Sequence, residues 1–476
     1  MKERIDHEIS PGGDFLFIGR EQELNALRRL YNSDKFEFAV IYGRRRVGKT
    51  ALISEFTKDK DTIFFTGVET NAKQNLENFS RCIMEYSTGI PADFSFASFQ
   101  AALEYVFELA RTKRMVLVID EYPYVARASK SLASTLQMLI DKNKDTSRLL
   151  LILCGSSMSY MEDHVLAYKA PLYGRRTAQF KIQPFDFFEA CQHFGGFSDF
   201  DKALAYGVIG GTPQYLLQID DRCSMEENIK NTHLNPSSSI FEEPGNLLKQ
   251  EVREPAIYNA VITAIANGCS KMNEISTNVG EDTSVCAGYI KNLIMLGIIK
   301  KELPYGEKSS RRTIYSVEDN MFRFWYRFVP ENTSLISRGA ADLVYQRIAP
   351  ELPDYMGGVF EEICRQYLWR LLLDGKCAGN FTDLGRWWGT NPRTHRQEEI
   401  DIMGTDKNTA LFGECKWKNE KIDRNVLEVL VGRSNLFHFD KKHFYLFSKS
   451  GFTKACMDEA AEMGNVTLVA FADMIH

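Results

Sequence analysis

An unbroken match to the phosphate-binding pattern G-x-x-x-x-G-K-[ST] constrains this chain more than any other feature: Gly43-Arg44-Arg45-Arg46-Val47-Gly48-Lys49-Thr50. Such a loop works only between a buried strand and a helix. The largely apolar run Phe36 to Tyr42 supplies the strand, and Ala51 to Phe56 reads as the first turns of the helix. Gly43 and Gly48 let the backbone turn so that successive N–H groups point at phosphate oxygens. The helix starting near Lys49 adds its positive end. In such a loop the ammonium of Lys49 reaches the β- and γ-phosphates and the hydroxyl of Thr50 ligates Mg²⁺, so the binding segment runs from Gly43 to Ala51. A strand-to-helix turn punctuated by glycines could match by chance. With strand, motif and helix in register, the expectation is a site for ATP or GTP.

Four further apolar runs read as strands of the same sheet: 62–66, 115–119, 149–153 and 178–182. Three are nearly continuous in apolar residues, as strands are when helices cover both faces of a parallel sheet. Amphipathic stretches such as Phe99 to Ala110 and Leu132 to Ile140 separate them, which is an α/β alternation. The third run ends in Asp120-Glu121. There Asp120 would hold Mg²⁺ and Glu121 would polarise the attacking water. A strand-helix unit (62–110) lies between the two motifs, and from it we expect an extra strand between the P-loop and Asp120 strands. The fourth run ends in Cys154-Gly155-Ser156-Ser157. Ser156 or Ser157 could sense the γ-phosphate, or could simply cap a turn.

Length and charge bound the rest. At 476 residues the chain suggests about three domains. A net charge of −5 carries no global nucleic-acid signature, so any DNA contact must come from a local patch. The ten cysteines include no C-x-x-C pair, which suits reduced thiols in a cytoplasmic protein. Met1 to Glu8 lacks the apolar core of a leader, and no apolar run is long enough to span a bilayer. No membrane association is expected, and the oligomeric state is not legible.

Phe17-Ile18-Gly19-Arg20-Glu21-Gln22-Glu23-Leu24 resembles the F-x-G-R-E-x-E-L segment of the archaeal ATPase family, part of the STAND/AAA-like group. The P-loop, Ile119-Asp120-Glu121 and Gly155-Ser156-Ser157 resemble the same family. The resemblance implies that Gly19 and Arg20 lie near an adenine, so that the nucleotide is ATP. Pro171-Leu172-Tyr173-Gly174-Arg175 also matches, and implies that Arg175, with Arg176 in reserve, stabilises charge on the transferring phosphate. Gly210-Gly211-Thr212-Pro213 is similar to the G-x-P signature of a helical lid, which implies that Pro213 approaches the base.

Residues 256–317 read as three helices and a β-hairpin. Ile257, Val261, Ile262 and Ile265 form one stripe, Asp282 caps the third helix, and Leu293 to Ile299 leads into the hairpin. The pattern resembles a winged helix. Lys300, Lys301, Lys308, Arg311 and Arg312 on the hairpin could grip double-stranded DNA. The fold could equally serve as a packing module.

The tail changes character again. A helix begins at Gly357, then Glu399 to Met403 reads as a strand, 404–409 as a turn and Ala410 to Trp417 as the returning strand. Side chains alternate along a strand, so Glu414 and Lys416 share a face, and Asp401 on the neighbouring strand could join them. Carboxylates beside a lysine can hold Mg²⁺ and set a water against a phosphodiester. The arrangement resembles the D-x(n)-E-x-K core of the PD-(D/E)XK nuclease superfamily, which implies Glu361 as a further, helical metal ligand. The proline that often precedes the first aspartate is absent, with Glu399-Ile400 there instead. Arg386-Trp387-Trp388 and Asn391 to Arg396 could contact nucleic acid, or form a packed turn and a solvated loop.

The expected architecture is therefore multidomain α/β. It comprises a P-loop ATPase sheet (1–185), a helical lid (186–250), a winged helix (251–330) and a restriction-endonuclease-like α/β domain (331–476). The expected function is an Mg²⁺-dependent ATPase whose nucleotide state controls a DNA-directed nuclease-like domain. The alternative is a STAND-type switch or scaffold whose nuclease-like domain is inactive.

Overall fold

The structure, a computed structural model, describes residues 17–90, 94–309 and 311–475. Met1 to Glu8, inspected above for a leader, lies outside the described residues. The chain divides into two compact units, one ending at Gln183 and the other starting at Pro184.

The first unit is built on five parallel strands: β1 (Glu37–Tyr42), β2 (Thr62–Thr66), β3 (Met115–Asp120), β4 (Leu149–Gly155) and β5 (Ala178–Lys181). Their order in the sheet is β2-β3-β4-β1-β5. Every residue of β1, β3 and β4 is buried, which accounts for their unbroken apolar character. Helices α1 (Glu21–Asn32), α2 (Lys49–Thr57), α3 (Ala72–Thr88), α4 (Phe99–Leu109), α5 (Tyr122–Ala128) and α6 (Leu132–Asn143) connect and cover the strands. Leu24 and Leu27 of α1 and Leu52, Ile53 and Phe56 of α2 pack on Ala39, Ile41, Val118 and Ile152 of the central strands.

One strand does separate the P-loop strand from the Asp120 strand, but it is β4. The strand expected there from sequence order, β2, lies at the sheet edge beside β3. The crossover through α2 carries the chain outward to β2, α3 and α4 bring it back to β3, and β4 then fills the place between β3 and β1. Strand order depends on crossovers and not on the sequence interval, so the sheet differs from the expectation in which strand is inserted.

The second unit opens with the helices Phe187–Ala190, Asp199–Ile209, Pro213–Leu216, Met225–Thr232 and Glu243–Glu251. Three more follow, Pro255–Ala266, Met272–Val279 and Thr283–Met295, and then an antiparallel pair, β6 (Ile299–Glu302) and β7 (Ile314–Val317). Asp282 sits at the N-cap of the third of these, yet its side chain makes no capping hydrogen bond, contrary to the expectation.

A mixed sheet of order β12-β11-β10-β9-β8 completes this unit: β8 (Gly385–Thr390), β9 (Gln397–Asp406), β10 (Thr409–Lys416), β11 (Lys441–Ser448) and β12 (Val466–Ala470). The β9–β10 hairpin turns over Lys407 and Asn408 alone, so Gly404 to Asp406 continue the strand where a longer turn was expected. The helix before the sheet runs Leu352–Leu373, starting five residues ahead of Gly357. Buried Tyr355 and Met356 before the two glycines, and Val359, Phe360 and Ile363 after them, carry it through a sequence that reads as a break. Phe360 meets Trp417 at 5.0 Å and Phe471 at 5.9 Å between ring centroids, which fixes this helix against the end of the sheet. None of the ten cysteines forms a disulfide. Among the described residues no helix is long and apolar enough to cross a membrane.

Candidate functional site

The P-loop leaves β1 at Gly43, where a Cβ would stand 2.5 Å from the carbonyl oxygen of Ile182. Only glycine lets the loop lie that close to the chain leaving β5. At the other end Gly48 has φ +85° as the N-cap of α2, again a conformation that glycine adopts without strain. Five described non-glycine residues have positive φ, and three of them belong to this site: Arg20 (65°), Arg46 (72°) and Glu121 (48°). Strained backbone concentrates where surrounding structure holds a functional geometry.

Arg20 donates from Nη2 to the carbonyl oxygens of Val47, at 3.2 Å, and of Gln183. The segment 17–24 thus clamps the middle of the P-loop. Arg45 reaches the Tyr124 hydroxyl at 2.9 Å, tying the loop to α5. The buried Lys49 ammonium donates to the carbonyls of Gly43 and Arg44, both at 2.9 Å, and so spans the mouth of the loop it belongs to.

The Thr50 hydroxyl donates to Asp120 Oδ2 at 2.9 Å. In an octahedral Mg²⁺ shell with bonds of about 2.1 Å, neighbouring ligand oxygens lie about 3 Å apart. These two hard oxygens therefore already have the spacing of adjacent Mg²⁺ ligands, and the donor set fits the ion. Ser156 donates its hydroxyl to Glu121, at 2.8 Å from Oε1 and 2.9 Å from Oε2. Ser157 accepts from Arg127 at 3.2 Å instead. Of the two serines left open by the sequence, Ser156 is the one joined to the acidic pair.

Arg175 forms a two-point pair with Asp141 of α6, Nε to Oδ1 at 2.9 Å and Nη2 to Oδ2 at 2.7 Å, and also donates to Pro171 O at 3.0 Å. Its hydrogen bonds hold the Asp141 carboxyl below its usual range. Arg176 lies over the Tyr173 ring at 5.4 Å. In the second unit Pro213 starts its helix at the first turn, where a missing N–H costs nothing. Gly211 before it packs so tightly that a Cβ would fall 1.9 Å from Phe185 O.

The C-terminal residues converge at the end of the β9–β10 ladder. Pairing stops at Gly413–Ile402, and two residues on, the Cys415 N–H donates to Asp401 Oδ2 at 2.8 Å. Glu414 and Lys416 share a face as alternation requires, with Lys416 Nζ 2.6 Å from Glu414 Oε1. Arg433, from the helix Arg424–Ser434, donates to Glu414 Oε2 at 3.1 Å and to Glu398 at 3.2 Å. Asp401 is 7% and Glu414 6% exposed. Burial, then the charges of Glu414 and Glu361, push the Asp401 carboxyl up to about 7, against the Cys415 amide and Lys416, which lower it. Burial also raises Glu361, with Glu399 adding to it and Arg386 opposing. Among the described residues no three His, Cys, Asp or Glu side chains are gathered as a metal-binding group. As arranged, Lys416 and Arg433 occupy the two oxygens of Glu414, and the Cys415 amide occupies one oxygen of Asp401.

Of the other residues expected at a nucleic-acid contact, Lys301, Lys308, Arg311, Arg393 and Arg396 are exposed, while others make contacts within the protein. Arg386 pairs with Glu399, and Trp387 meets Phe437 edge to face at 5.0 Å. On the β6–β7 hairpin, Lys300 binds Glu302 at 3.1 Å and Arg312 donates to Trp388 O at 2.9 Å. Tyr305 donates its amide to Arg386 O at 2.9 Å, and its hydroxyl accepts from Thr405 N at 2.9 Å.

Comparison with known proteins identifies the domain that carries the first of these sites. A family model described as an ATPase domain predominantly from Archaea matches residues 17–219. A second, DUF234, described as archaeal and bacterial proteins of unknown function, matches 325–427. An uncharacterized protein of Methanocaldococcus jannaschii is 33% identical over 450 residues, covering 91% of this chain and 96% of its own length. The chain belongs to this archaeal ATPase family. An uncharacterized ATP-binding protein of the same organism is 46% identical over 48 residues, 10% of this chain and 81% of that protein. The Walker-type ATPase PABY2304 of Pyrococcus abyssi superposes with a TM-score of 0.51 at 18% identity, over 65% of this chain and 96% of that one, and so shares its fold.

Two features of the archaeal-type ATPase are not legible in its sequence. Arg433 lies 19 positions beyond Glu414, and only the return of its helix across the sheet brings it there. Tyr124 as a partner of Arg45 likewise depends on β1 and β3 lying in one sheet.

Proposed function

We propose that this ATPase is a nucleotide-dependent switch that hydrolyses ATP with Mg²⁺, and that its C-terminal domain serves as an interaction module. The observation that carries the first half is the 2.9 Å contact between Thr50 and Asp120, which pairs the P-loop hydroxyl with the carboxylate at the end of β3. Thr50 and Asp120 would hold Mg²⁺, which when bound offsets phosphate charge. Lys49 would leave the loop carbonyls for the β- and γ-phosphates, with Gly43 to Ala51 as the cradle. Glu121, aimed by Ser156, would accept the proton of the attacking water. Gly19 and Arg20 are assigned to the adenine end. Arg175 would act on the transferring phosphate only after releasing Asp141.

The test is Mg²⁺-dependent phosphate release from ATP by the full chain, compared with Glu121→Gln. Hydrolysis that persists undiminished in the variant would remove Glu121 from the reaction. Absence of both binding and hydrolysis in the wild type would remove the switch itself.

A second reading, an active nuclease directed at double-stranded DNA by a winged helix, is favoured by one observation. Burial first, and then the charges of Glu414 and Glu361, raise the Asp401 carboxyl to about 7 beside Lys416. Against it, Lys416 and Arg433 occupy both oxygens of Glu414. Cleavage of duplex DNA with Mg²⁺ or Mn²⁺, lost in both Asp401→Ala and Lys416→Ala, would put the nuclease first.

A further inference from the structure

We propose that a cavity between the β6–β7 hairpin and the helix Leu352–Leu373 binds a small phosphorylated molecule of about mononucleotide size. The cavity holds about 400 Å³, which is within the range of small-ligand sites. It lies wholly within the second unit, and Asp401, Glu414 and Lys416 do not line it. Five cations do: Lys300, Arg323, Arg327, Arg365 and Arg386. Three carboxylates face them, Glu302, Asp354 and Glu361, so cations outnumber acids on the lining itself.

Contacts within the protein fix the cations in place, those of Arg327, Arg365 and Arg386 being made to acids outside the lining. Arg365 pairs with Glu362 at 3.0 Å and Arg386 with Glu399, and neither acid lines the cavity. Arg323 donates from Nε and Nη2 to Val317 O, at 3.1 and 2.8 Å. Lys300 holds Glu302, whose second oxygen accepts from Ser316 at 3.0 Å. Glu362 and Glu399 balance the charge from behind, so the wall stays organised without an anion. Donors held ready in this way lose little freedom when an anion arrives.

Two further observations point to a ligand. The Nε of Arg365 is buried with no hydrogen-bond partner, a state that costs free energy unless something completes it. Gly358 lies in the middle of the helix Leu352–Leu373, where glycine is unfavourable. A Cβ there would meet only Arg323 Nη1, at 3.8 Å. Packing therefore does not require that glycine, whereas an open wall beside the Arg323 guanidinium does. An adjoining recess of about 720 Å³ shares Ala266, Gly268 and Arg327 with the cavity and gives the non-phosphate part of a ligand room.

The test uses the full chain carrying Lys49→Ala, so that the P-loop does not compete for phosphate. Equilibrium dialysis with labelled pyrophosphate and with AMP distinguishes inorganic from nucleotide ligands. We expect saturable binding of at least one probe, one per chain, weakened about tenfold or more by Lys300→Ala, which removes one charged donor. Gly358→Leu should abolish it by filling the cavity, while retaining the melting temperature because leucine is the better helix former. No saturable binding of either probe would overturn the proposal, as would binding that neither substitution alters. Binding only of a 5′-phosphorylated oligonucleotide would overturn it in favour of a nucleic-acid site.

Discussion

Ser156 donates one hydroxyl to both oxygens of Glu121, at 2.8 and 2.9 Å, across the ends of two adjacent strands. Glu121 itself stands in a left-handed conformation (φ 48°) as the N-cap of α5, so backbone and side chain are both held. Ser156→Ala releases the side chain alone. Loss of a hydrogen bond to a charged group is worth about 1.5–3 kcal/mol. Turnover should fall about 10- to 100-fold with KM nearly unchanged, a split that steady-state ATPase kinetics reads directly.

Glu121→Gln keeps the shape but removes the base. Its expected loss is about 10²- to 10⁴-fold in kcat, with ATP affinity preserved in a filter-binding assay. A Ser156→Ala,Glu121→Gln double variant should be no slower than Glu121→Gln, since the serine then has no base to orient.

Lys49→Ala should weaken ATP binding by about 100-fold, the scale of one charge-assisted contact to phosphate. Isothermal titration with ATP measures it. Unchanged affinity would mean that Lys49 serves only the loop carbonyls of Gly43 and Arg44.

The parts of the chain legible in sequence were those where local pattern and burial coincide. The continuous apolar runs of β1, β3 and β4 announced themselves because both faces are covered, and Glu414 and Lys416 followed from simple alternation. What stayed hidden depends on distant chain. That β4 rather than β2 lies beside β1 is set by crossovers. That Glu414 is neutralised from two directions is set by a helix returning over the sheet. Gly357-Gly358 read as a helix start because the buried neighbours that sustain the helix do not mark themselves in the sequence.

Gly211→Ala should destabilise the second unit by at least about 2 kcal/mol, because the new methyl would collide with backbone, which cannot swing aside as a flexible side chain can. A urea titration of the full chain should show an earlier midpoint with the slope retained.

His233 is fully buried, with Phe324 at 4.7 Å, and burial lowers its pKa to about 3. A depressed histidine is neutral in the fold, while the unfolded chain takes up a proton near pH 6.5. Stability is therefore complete above that value and declines as pH falls below it, by about 2 kcal/mol at pH 5. His233→Phe should flatten this acid limb, as seen in melting temperatures between pH 7 and pH 5.

The hairpin loop that lies along β8 also answers a hazard common to open sheets. β8 is a terminal strand, and an uncovered terminal strand offers its amides and carbonyls to any passing chain. Tyr305 N–H takes the carbonyl of Arg386, and Arg312 takes that of Trp388. Two adjacent outward docking points are thereby withdrawn. Tyr305 and Arg312 thus guard against β-mediated aggregation, and a fragment of this protein cut to begin after them would expose that strand to its own copies.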